Sequence, residues 1–483
     1  MEAMLAAAAN RSHWMRSMWD SCGDLLDRRL VDLVMVGAHD AGAWRLEDNG
    51  ANCGSKCLFC SYALQTTKTW GLAQAGDIRK QLDAGVRYFD LRLTVDKYYG
   101  EGCTEPSTFL PPSRADRGAR CWKIWHCLLG VDVTGIVEDL RSFLLQDSRD
   151  VSRRGEVVIL NLKMEYWKSA SNDLTDARAI GLFRYLAKRL GEFFWDGKDD
   201  QWWMRPVREI VSSDRRLIVV VRTESSTIKL EYFEWIKERA AGLPSSRRAK
   251  LIRPAVKCEG LGEGLCAHCA FWGKYSNDCC SVQSLAGHQQ RKMLDFRAEF
   301  LGGASEKSAL LRREVPRPLM LLYWTMTWGV THSLRTDEGK AVGSLREAAQ
   351  VADTGLWSFY DGFDREVANA HQEAANGTAA PLFANIIMAD FLEDSDTPLK
   401  LAVYSSVVGA PRALKPVLPE PTPAPPVPAP TSPPGPGGDG HVPRPGDAPA
   451  HPGALRDLLL HHTTAAALAC LLLGVALLIA ARE

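Results

Sequence analysis

The chain has 483 residues, and its 58 lysine and arginine residues balance its 58 aspartate and glutamate residues, so the formal net charge is zero. A chain of this length can bury a large core and can form more than one domain. The zero net charge supplies no basic field for nucleic acid, and we therefore exclude nucleic acid as the expected partner.

Short apolar runs rich in Val, Ile and Leu recur between polar segments and predict buried β-strands. These runs cover residues 32–37, 85–93, 121–127, 156–163, 216–222, 318–325 and 384–390. Apolar residues at helical spacing predict helices between them. These helical segments cover residues 76–84, 133–146, 177–194 and 345–375, after a helical lead-in at residues 1–30. Alternating strands and helices predict an α/β fold with a parallel sheet, closed into a TIM-type β/α barrel over residues 31–410.

The composition changes abruptly after residue 410. Sixteen of the 26 prolines fall within residues 411–453, and such a segment is expected to form a semi-rigid, disordered linker rather than a core. Residues 458–481 are almost wholly apolar and are long enough to cross a bilayer as one transmembrane helix. We therefore expect a membrane as one partner of the chain.

Two membrane arrangements fit this apolar tail. A tail anchor would leave the folded domain in the cytosol, and the N-terminal sequence favours it because it lacks the charged start and long apolar core of a secretory signal. A GPI-attachment signal, with small residues at 446–448 and a removable tail, would place the domain at the cell surface. The pair Trp202-Trp203 fits either an interfacial anchor or a buried part of the core.

Twelve of the thirteen cysteines precede the apolar tail. Their even number and their clustering suggest disulfides, although zinc sites and free thiols fit the pattern equally. One cluster, formed by Cys53, Cys57 and Cys60, has a spacing that resembles the iron–sulfur motif of radical S-adenosylmethionine enzymes. An enzyme of that class is one alternative function for the chain.

Polar side chains collect at the predicted carboxyl ends of the strands, where β/α barrels carry out their chemistry. They are His39, Asp40, Asp90, Arg92, His126, Lys163, Arg222 and Asp390. Two histidines can act as general base and general acid near neutral pH, and each needs a carboxylate to fix its tautomer. The cationic residues suit an anionic substrate such as a phosphodiester. The sequence has no clustered carboxylates of the kind that bind calcium or magnesium, so we predict neither a metal nor another cofactor.

Several of these residues lie in longer motifs: GAHDAG around His39, QLDAGVRYFDLR around Asp90 and Arg92, His126 itself, and the strand EVVILNLK. These motifs resemble the X-domain phosphatidylinositol-specific phospholipases C, and most closely the bacterial enzymes and the trypanosomatid GPI-specific phospholipase C. The resemblance continues through RRLIVVVR to NIIMADFLEDSDTPLK and covers about residues 13–407. The first two motifs together are highly specific for this family.

The resemblance implies a distorted, incompletely closed β/α barrel of the phospholipase C-like phosphodiesterase kind. It implies cleavage of phosphatidylinositol or a GPI-type lipid to diacylglycerol and an inositol cyclic phosphate. By resemblance, His39 is the general base with Asp390 as its carboxylate partner. His126 is the general acid that protonates the departing diacylglycerol oxygen, assisted by Asp40.

The same resemblance implies that Arg92 contacts the phosphate, with Asp90 beside it. Residues at inositol-binding positions of the family are Lys163, Arg222 and Tyr275. The chain departs from the family at Gly273, where an acidic inositol ligand is expected. Arg92 stands where calcium-dependent relatives carry an acidic ligand, so we predict metal-independent cleavage.

Two further alternatives use a similar barrel. One is a catalytically weak, membrane-tethered protein that binds inositol lipids, and the presence of both histidines with their carboxylates argues against it. The other is a glycerophosphodiester phosphodiesterase, which would need acidic metal ligands where this chain has Arg92.

Overall fold

The computed structural model describes the chain in stretches, and all of them belong to the first of two compact units, Met1–Val417 and Leu418–Glu483. The described residues are 9–47, 64–95, 122–126, 128–149, 154–164, 182, 185–195, 202–222, 252–255, 271–272, 281–296, 318–325, 344–373 and 384–408. The predicted linker at 411–453 and the predicted transmembrane helix at 458–481 lie outside these residues. Within the described stretches, no helix is long and apolar enough to cross a membrane.

The strands are short and lie close to the predicted apolar runs. They are β1 Met35–Ala38, β2 Tyr88–Val95, β3 Trp122–His126, β4 Leu128–Asp132, β5 Val158–Met164, β6 Leu217–Arg222, β7 Ile252–Ala255, β8 Phe271–Trp272, β9 Leu319–Tyr323 and β10 Ile386–Ala389. Every residue of β1, β9 and β10 is buried. Burial on both faces explains why the sequence shows continuous apolar runs rather than alternation.

The α-helices lie before the first strand, between strands and after the last strand. They are α1 Trp14–Ser21, α2 Leu64–Gly71, α3 Ile78–Asp83, α4 Val133–Arg149, α5 Val207–Ser212, α6 Val282–Phe296, α7 Leu345–Glu373 and α8 Thr397–Val408. Short 3-10 helices span Arg11–His13, Gly23–Asp27, Leu30–Asp32, Trp202–Met204 and Leu392–Asp394. Asp77 begins α3 because its side chain accepts a hydrogen bond from the Lys80 amide.

Eight strands form one parallel sheet in the order β7-β6-β5-β2-β1-β10-β9-β8. Apart from the β3–β4 insertion, this order follows the chain around a circle, which is the strand order of a β/α barrel. Among the described residues no ladder joins β7 to β8. The predicted α/β class is therefore confirmed, and the described ladders form an open parallel sheet with barrel order.

The prediction that residues 121–127 form a barrel strand is wrong. β3 runs antiparallel to β2, with Leu93 opposite Ile124 and Val95 opposite Trp122, and β3 continues into β4 as a hairpin. The carboxyl half of β2 supplies the edge on which this hairpin pairs. His126 therefore lies at the turn of an antiparallel hairpin rather than at the end of a parallel strand.

The sequence also left the role of two adjacent tryptophans open. Trp202 and Trp203 are 0% and 1% exposed, and their rings pack edge to face with centroids 5.5 Å apart. Burial this complete assigns both residues to the core and removes the alternative that they are interfacial anchors.

The N-terminal segment packs against the amino end of the barrel. The Trp14 indole N–H donates to the Gly85 carbonyl, and the Trp19 indole N–H donates to the Gly155 carbonyl, each at 2.8 Å. His13 Nε2 lies 3.0 Å from an oxygen of Asp147 in α4. Residues before β1 thus form part of the hydrophobic core together with the barrel.

Candidate active site

The loop after β1 carries the first histidine in a tightly constrained turn. A Cβ on Gly37 would lie 2.6 Å from the Met388 sulfur on β10, and a Cβ on Gly42 would overlap the Ile124 side chain on β3. Asp40 adopts a left-handed backbone conformation with φ of 45°, which aspartate tolerates better than most residues. The GAHDAG motif therefore meets a steric demand at both glycines, and this holds the loop against its neighbours.

His39 is almost fully buried and is held from both ring nitrogens. Its Nδ1 lies 2.9 Å from Asp390 Oδ1 at the end of β10, so Nδ1 carries a proton. Its Nε2 lies 3.0 Å from Nη2 of Arg92, which can only donate, so Nε2 presents its lone pair. This pairing selects the neutral tautomer that a general base requires. The Tyr323 ring packs edge-on against the imidazole at 6.2 Å.

His126 has a different set of partners. Its Nδ1 lies 2.7 Å from the Gly71 carbonyl oxygen, which can only accept a hydrogen bond, so Nδ1 donates. Its Nε2 lies 3.1 Å from Asp40 Oδ2. Because both nitrogens face oxygen acceptors, both can carry a proton, which is the form that a general acid needs.

Asp40 connects the two histidines. Its Oδ2 lies 3.3 Å from His39 Nε2 as well as 3.1 Å from His126 Nε2, and its Oδ1 pairs with Arg92 Nε. Burial alone would raise the pKa of the Asp40 carboxyl. Nearby positive charge, first of all that of Arg92, outweighs burial and holds this pKa well below its usual range. Asp40 therefore remains an anion at the centre of the cluster.

The His39–Asp390 pair carries opposing influences on its pKa values. Burial lowers the pKa of His39, but the charges of Asp40 and Asp390 outweigh burial, and the net effect raises this pKa. Burial raises the pKa of Asp390, and the nearby imidazole of His39 only partly offsets that. Because its pKa is raised, His39 loses its proton at a higher pH than an isolated imidazole does.

The ladder between β2 and β5 brings the remaining charged residues together. Asp90 pairs with Asn161 and Arg92 pairs with Lys163, so all four side chains point to one face. Asn161 Nδ2 donates to Asp90 Oδ1 at 2.8 Å, and Arg92 Nε lies 4.0 Å from Asp90 Oδ2. The positive charge of Lys163 also lowers the pKa of the Asp40 carboxyl.

Two predicted substrate-binding residues are less fully described. Arg222 pairs with Lys163 across the β5–β6 ladder, which sets its backbone at the same level of the barrel. Tyr275 and Gly273 lie outside the described residues. So do the cluster of Cys53, Cys57 and Cys60 and a second group of five cysteines at residues 258–280. Cys22 is a free thiol in the described part of the chain.

Three of the site residues also have metal-ligating geometry. One donor atom each from His39, Asp40 and Asp90 lie within 4.8 Å of one another. The guanidinium of Arg92 already contacts Asp40 and approaches Asp90, so a fixed cation balances these two carboxylates. A metal ion would have to compete with this cation for the same oxygens.

Sequence reasoning missed several residues that support the cluster. Gln74 Nε2 donates to the His39 carbonyl at 2.7 Å, and Gln81 Nε2 donates to the Ala41 carbonyl at 2.7 Å, so two buried amides hold the loop after β1. Asn161 was visible as a lone polar residue in an apolar strand. Its partner became clear only from the register of the ladder.

Comparison with known proteins gives partial matches. No protein-family model matches the chain. The chain is 26% identical over 133 residues to a PI-PLC X domain-containing protein of Dictyostelium discoideum. This match covers 28% of the chain and 19% of that relative, so the chain spans about a fifth of the relative's length.

Similar solved structures include two bacterial phospholipases C. The phosphatidylinositol-specific phospholipase C from Listeria monocytogenes has 15% identity and a TM-score of 0.42, over 83% of this chain and 98% of that one. A mutant of the Staphylococcus aureus phosphatidylinositol-specific phospholipase C has 11% identity and a TM-score of 0.45, over 83% and 99%. The Dictyostelium match confirms the predicted resemblance to the PI-PLC X-domain family.

Proposed function

We propose that this protein is a phosphodiesterase that cleaves the headgroup phosphodiester of phosphatidylinositol or of a GPI-type lipid. His39 removes a proton from the inositol 2-hydroxyl, with Asp390 fixing its tautomer. His126 protonates the departing diacylglycerol oxygen while Asp40 holds its imidazole. The products are diacylglycerol and an inositol cyclic phosphate. His39 takes up the proton of the attacking 2-hydroxyl, and His126 supplies the proton that the departing diacylglycerol oxygen receives.

The observation that carries the proposal is the asymmetry between the two histidines. Asp40 Oδ2 faces the Nε2 atoms of both histidines, but His39 Nε2 also accepts from Arg92 Nη2 at 3.0 Å, whereas His126 donates from Nδ1 to the Gly71 carbonyl at 2.7 Å. One imidazole is thus arranged to take a proton and the other to give one. A non-catalytic lipid-binding protein would gain nothing from this difference.

Arg92 supplies the positive charge at the reacting phosphate. Its guanidinium is fixed against Asp40, and electrostatic stabilisation by a fixed charge costs no reorganisation during the reaction. Lys163, Arg222 and Tyr275 are proposed to bind the inositol ring. Because Arg92 balances the carboxylates that a divalent cation would need, the cleavage is metal-independent.

The proposed setting is a membrane. Residues 411–453 would act as a spacer and residues 458–481 as a tail anchor, with the catalytic domain in the cytosol. Tethering an enzyme to the bilayer raises its effective concentration near a lipid substrate. Thiol labelling of intact cells with an impermeant reagent tests this orientation, because labelling of the catalytic domain would place it at the cell surface instead.

The central experiment measures release of diacylglycerol by the full-length protein, because this product leaves both substrates, whereas the cyclic phosphate formed from a GPI anchor stays attached to the anchored protein. Vesicles containing phosphatidylinositol and a purified GPI-anchored protein serve as parallel substrates, with and without EDTA. We expect cleavage of at least one substrate that persists in EDTA and is abolished in His39→Ala and in His126→Ala. Activity that is lost in EDTA and restored by calcium would contradict the metal-free mechanism, and full activity in either variant would contradict the assigned roles.

A further inference from the structure

Asn161 is a buried polar residue at the centre of the site that the reaction scheme leaves without a role. It is 0% exposed and lies in the middle of β5, between Leu160 and Leu162. Its Nδ2 donates to Asp90 Oδ1 at 2.8 Å, while its Oδ1 has no hydrogen-bond partner among the residues that the structure describes. A buried acceptor without a partner costs free energy. The favourable contribution of this amide is therefore its hydrogen bond to Asp90.

The carboxylate of Asp90 also fixes which way the amide points. A carboxylate can only accept hydrogen bonds, so the NH2 group of Asn161 must face Asp90 and the carbonyl oxygen must face away. An aspartate at position 161 would set two carboxylates side by side, and an aliphatic residue would leave Asp90 Oδ1 without this donor. Asparagine therefore gives Asp90 one defined orientation without adding charge.

The held orientation of Asp90 bears on Arg92. With Oδ1 bound by Asn161, the second oxygen Oδ2 is directed toward Arg92 Nε, 4.0 Å away. Arg92 in turn pairs with Asp40 and donates to His39 Nε2. A chain of contacts thus runs from an uncharged residue on β5 to the guanidinium that we place at the phosphate.

We infer that Asn161 is a positioning residue that holds Asp90 and, through Asp90, sets the position of Arg92 for the reacting phosphate. This inference rests on the proposed function. The neighbouring strand β5 thereby acts on the guanidinium through the Asn161–Asp90 hydrogen bond and the 4.0 Å contact between Asp90 and Arg92. A displacement of about 1 Å in such a group can cost on the order of 100-fold in rate.

A matched control is available in Asn385, which precedes β10 at the opposite end of the barrel. Its Nδ2 donates to the carbonyls of Val31 and Leu33, and its Oδ1 accepts from the Met320 amide at 2.9 Å. Asn385 is buried like Asn161, but all of its partners are main-chain groups. Asn385→Ala should therefore lower the thermal midpoint without a selective effect on turnover.

The test is a double-mutant cycle in the full-length protein, using Asn161→Ala, Asp90→Ala and the double variant. Phosphatidylinositol cleavage gives kcat and KM, and calorimetry gives binding of myo-inositol 1-phosphate, which needs no turnover. We expect Asn161→Ala to lower kcat by about 10- to 100-fold and to weaken binding of myo-inositol 1-phosphate, because a displaced Arg92 guanidinium contacts the phosphate less well. The double variant should be no worse than Asp90→Ala, because Asn161 acts through Asp90. Asn161→Ser, which keeps a donor, should recover part of the loss.

Additive effects of the two substitutions on kcat and on binding would overturn the inference. An unchanged kcat in Asn161→Ala would also overturn it. The same holds if Asn161→Ala and Asn385→Ala lose equal stability and Asn161→Ala loses no more kcat than the control. A wild-type protein that binds myo-inositol 1-phosphate without cleaving lipid would contradict the proposed function alone, because the binding cycle still tests Asn161. A wild-type protein that neither binds nor cleaves would contradict both.

Discussion

The two ends of the barrel both bury charged side chains, but they bind them differently. At the amino end, Arg87 and Glu156 are fully buried, and Arg87 Nε donates to Glu156 Oε2 at 2.6 Å. The same guanidinium donates to three main-chain carbonyls. Arg216 is paired with Asp147 at 3.1 Å in the same manner. None of these four side chains leaves a buried polar atom without a partner.

At the carboxyl end, one carboxylate is shared by several titratable groups. Asp40 lies within ion-pair distance of His39, His126 and Arg92. In the described part of the chain, neither of its carboxylate oxygens makes a hydrogen bond of regular geometry. Buried charges with complete partners fix a structure, whereas shared charges can respond when protons move. The comparison therefore predicts that substitutions at the carboxyl end impair catalysis and that matched substitutions at the amino end impair stability.

Two histidine–aspartate pairs, one buried and one partly buried, give the strongest test of this contrast. His39 pairs with Asp390 at the carboxyl end, and His13 pairs with Asp147 at the amino end. We expect His39→Ala to lower kcat on the order of 10⁴-fold with a small change in thermal midpoint, because the general base is lost. His13→Ala should leave kcat unchanged and lower the thermal midpoint. Equal losses of activity in the two variants would remove the distinction between the ends.

The next effect concerns the carboxylate partner of the base. Asp390→Asn keeps the size of the side chain but removes one of the two negative charges that raise the pKa of His39. We expect kcat to fall by about 10³-fold, because the amide no longer fixes the tautomer of the base. The pKa of His39 should also fall.

The direction of the pH effect follows from this pKa change. The base acts in its neutral form, so the acidic limb of the kcat/KM profile follows the pKa of His39 in the free enzyme. In the wild type this limb should lie above the ordinary histidine value of about 6.5. In Asp390→Asn it should move to lower pH. If the acidic limb of the profile does not move in Asp390→Asn, a group other than His39 controls it.

A third test uses two arginines five residues apart, one before β2 and one within it. Arg92 lies on β2, and Arg87 is the residue directly before that strand. A lysine keeps the positive charge at either position but loses the planar fork of donors. Arg92→Lys should lower kcat by about 10- to 100-fold, the loss expected for hydrogen bonds to a charged group, with little change in stability.

The matched substitution Arg87→Lys should spare kcat. It removes hydrogen bonds to main-chain carbonyls and weakens the ion pair with Glu156. Burial already raises the pKa of Glu156, although the charge of Arg87 opposes this effect. Breaking a buried ion pair typically costs about 3–5 kcal/mol, and partial loss should approach the lower figure. Thermal unfolding measures this change. A stable Arg87→Lys protein with reduced kcat would show that the two ends are coupled.

The sequence predicted the parts of the site that follow directly from buried apolar strands. β1 and β10 are continuous apolar runs, so His39 and Asp390 could be placed at one rim before their contact was known. His126 could not be placed correctly, because its strand pairs with the carboxyl half of β2 in an antiparallel hairpin. Nothing local in residues 121–127 distinguishes that pairing from a parallel strand.

Other residues were missed because their environment depends on distant parts of the chain. Asn161 gains its meaning from the register that sets it opposite Asp90. Trp202 and Trp203 follow polar residues in the sequence, yet Phe271 packs against Trp202 and both indoles are buried. Register and long-range packing decide such cases, and a single sequence shows neither of them directly.

The smallest expected effect lies where the N-terminal segment meets the barrel. Trp14 is fully buried, and its indole N–H donates to the carbonyl of Gly85, which has a φ of 102° at the turn into β2. Trp14→Phe keeps an aromatic ring but removes this donor, and should cost about 1 kcal/mol for the hydrogen bond plus the lost packing. Trp19→Phe, which removes the same kind of bond to Gly155, should behave alike. The described contacts at the amino end are complete without the site residues, so we expect thermal unfolding to shift in both variants while kcat stays unchanged.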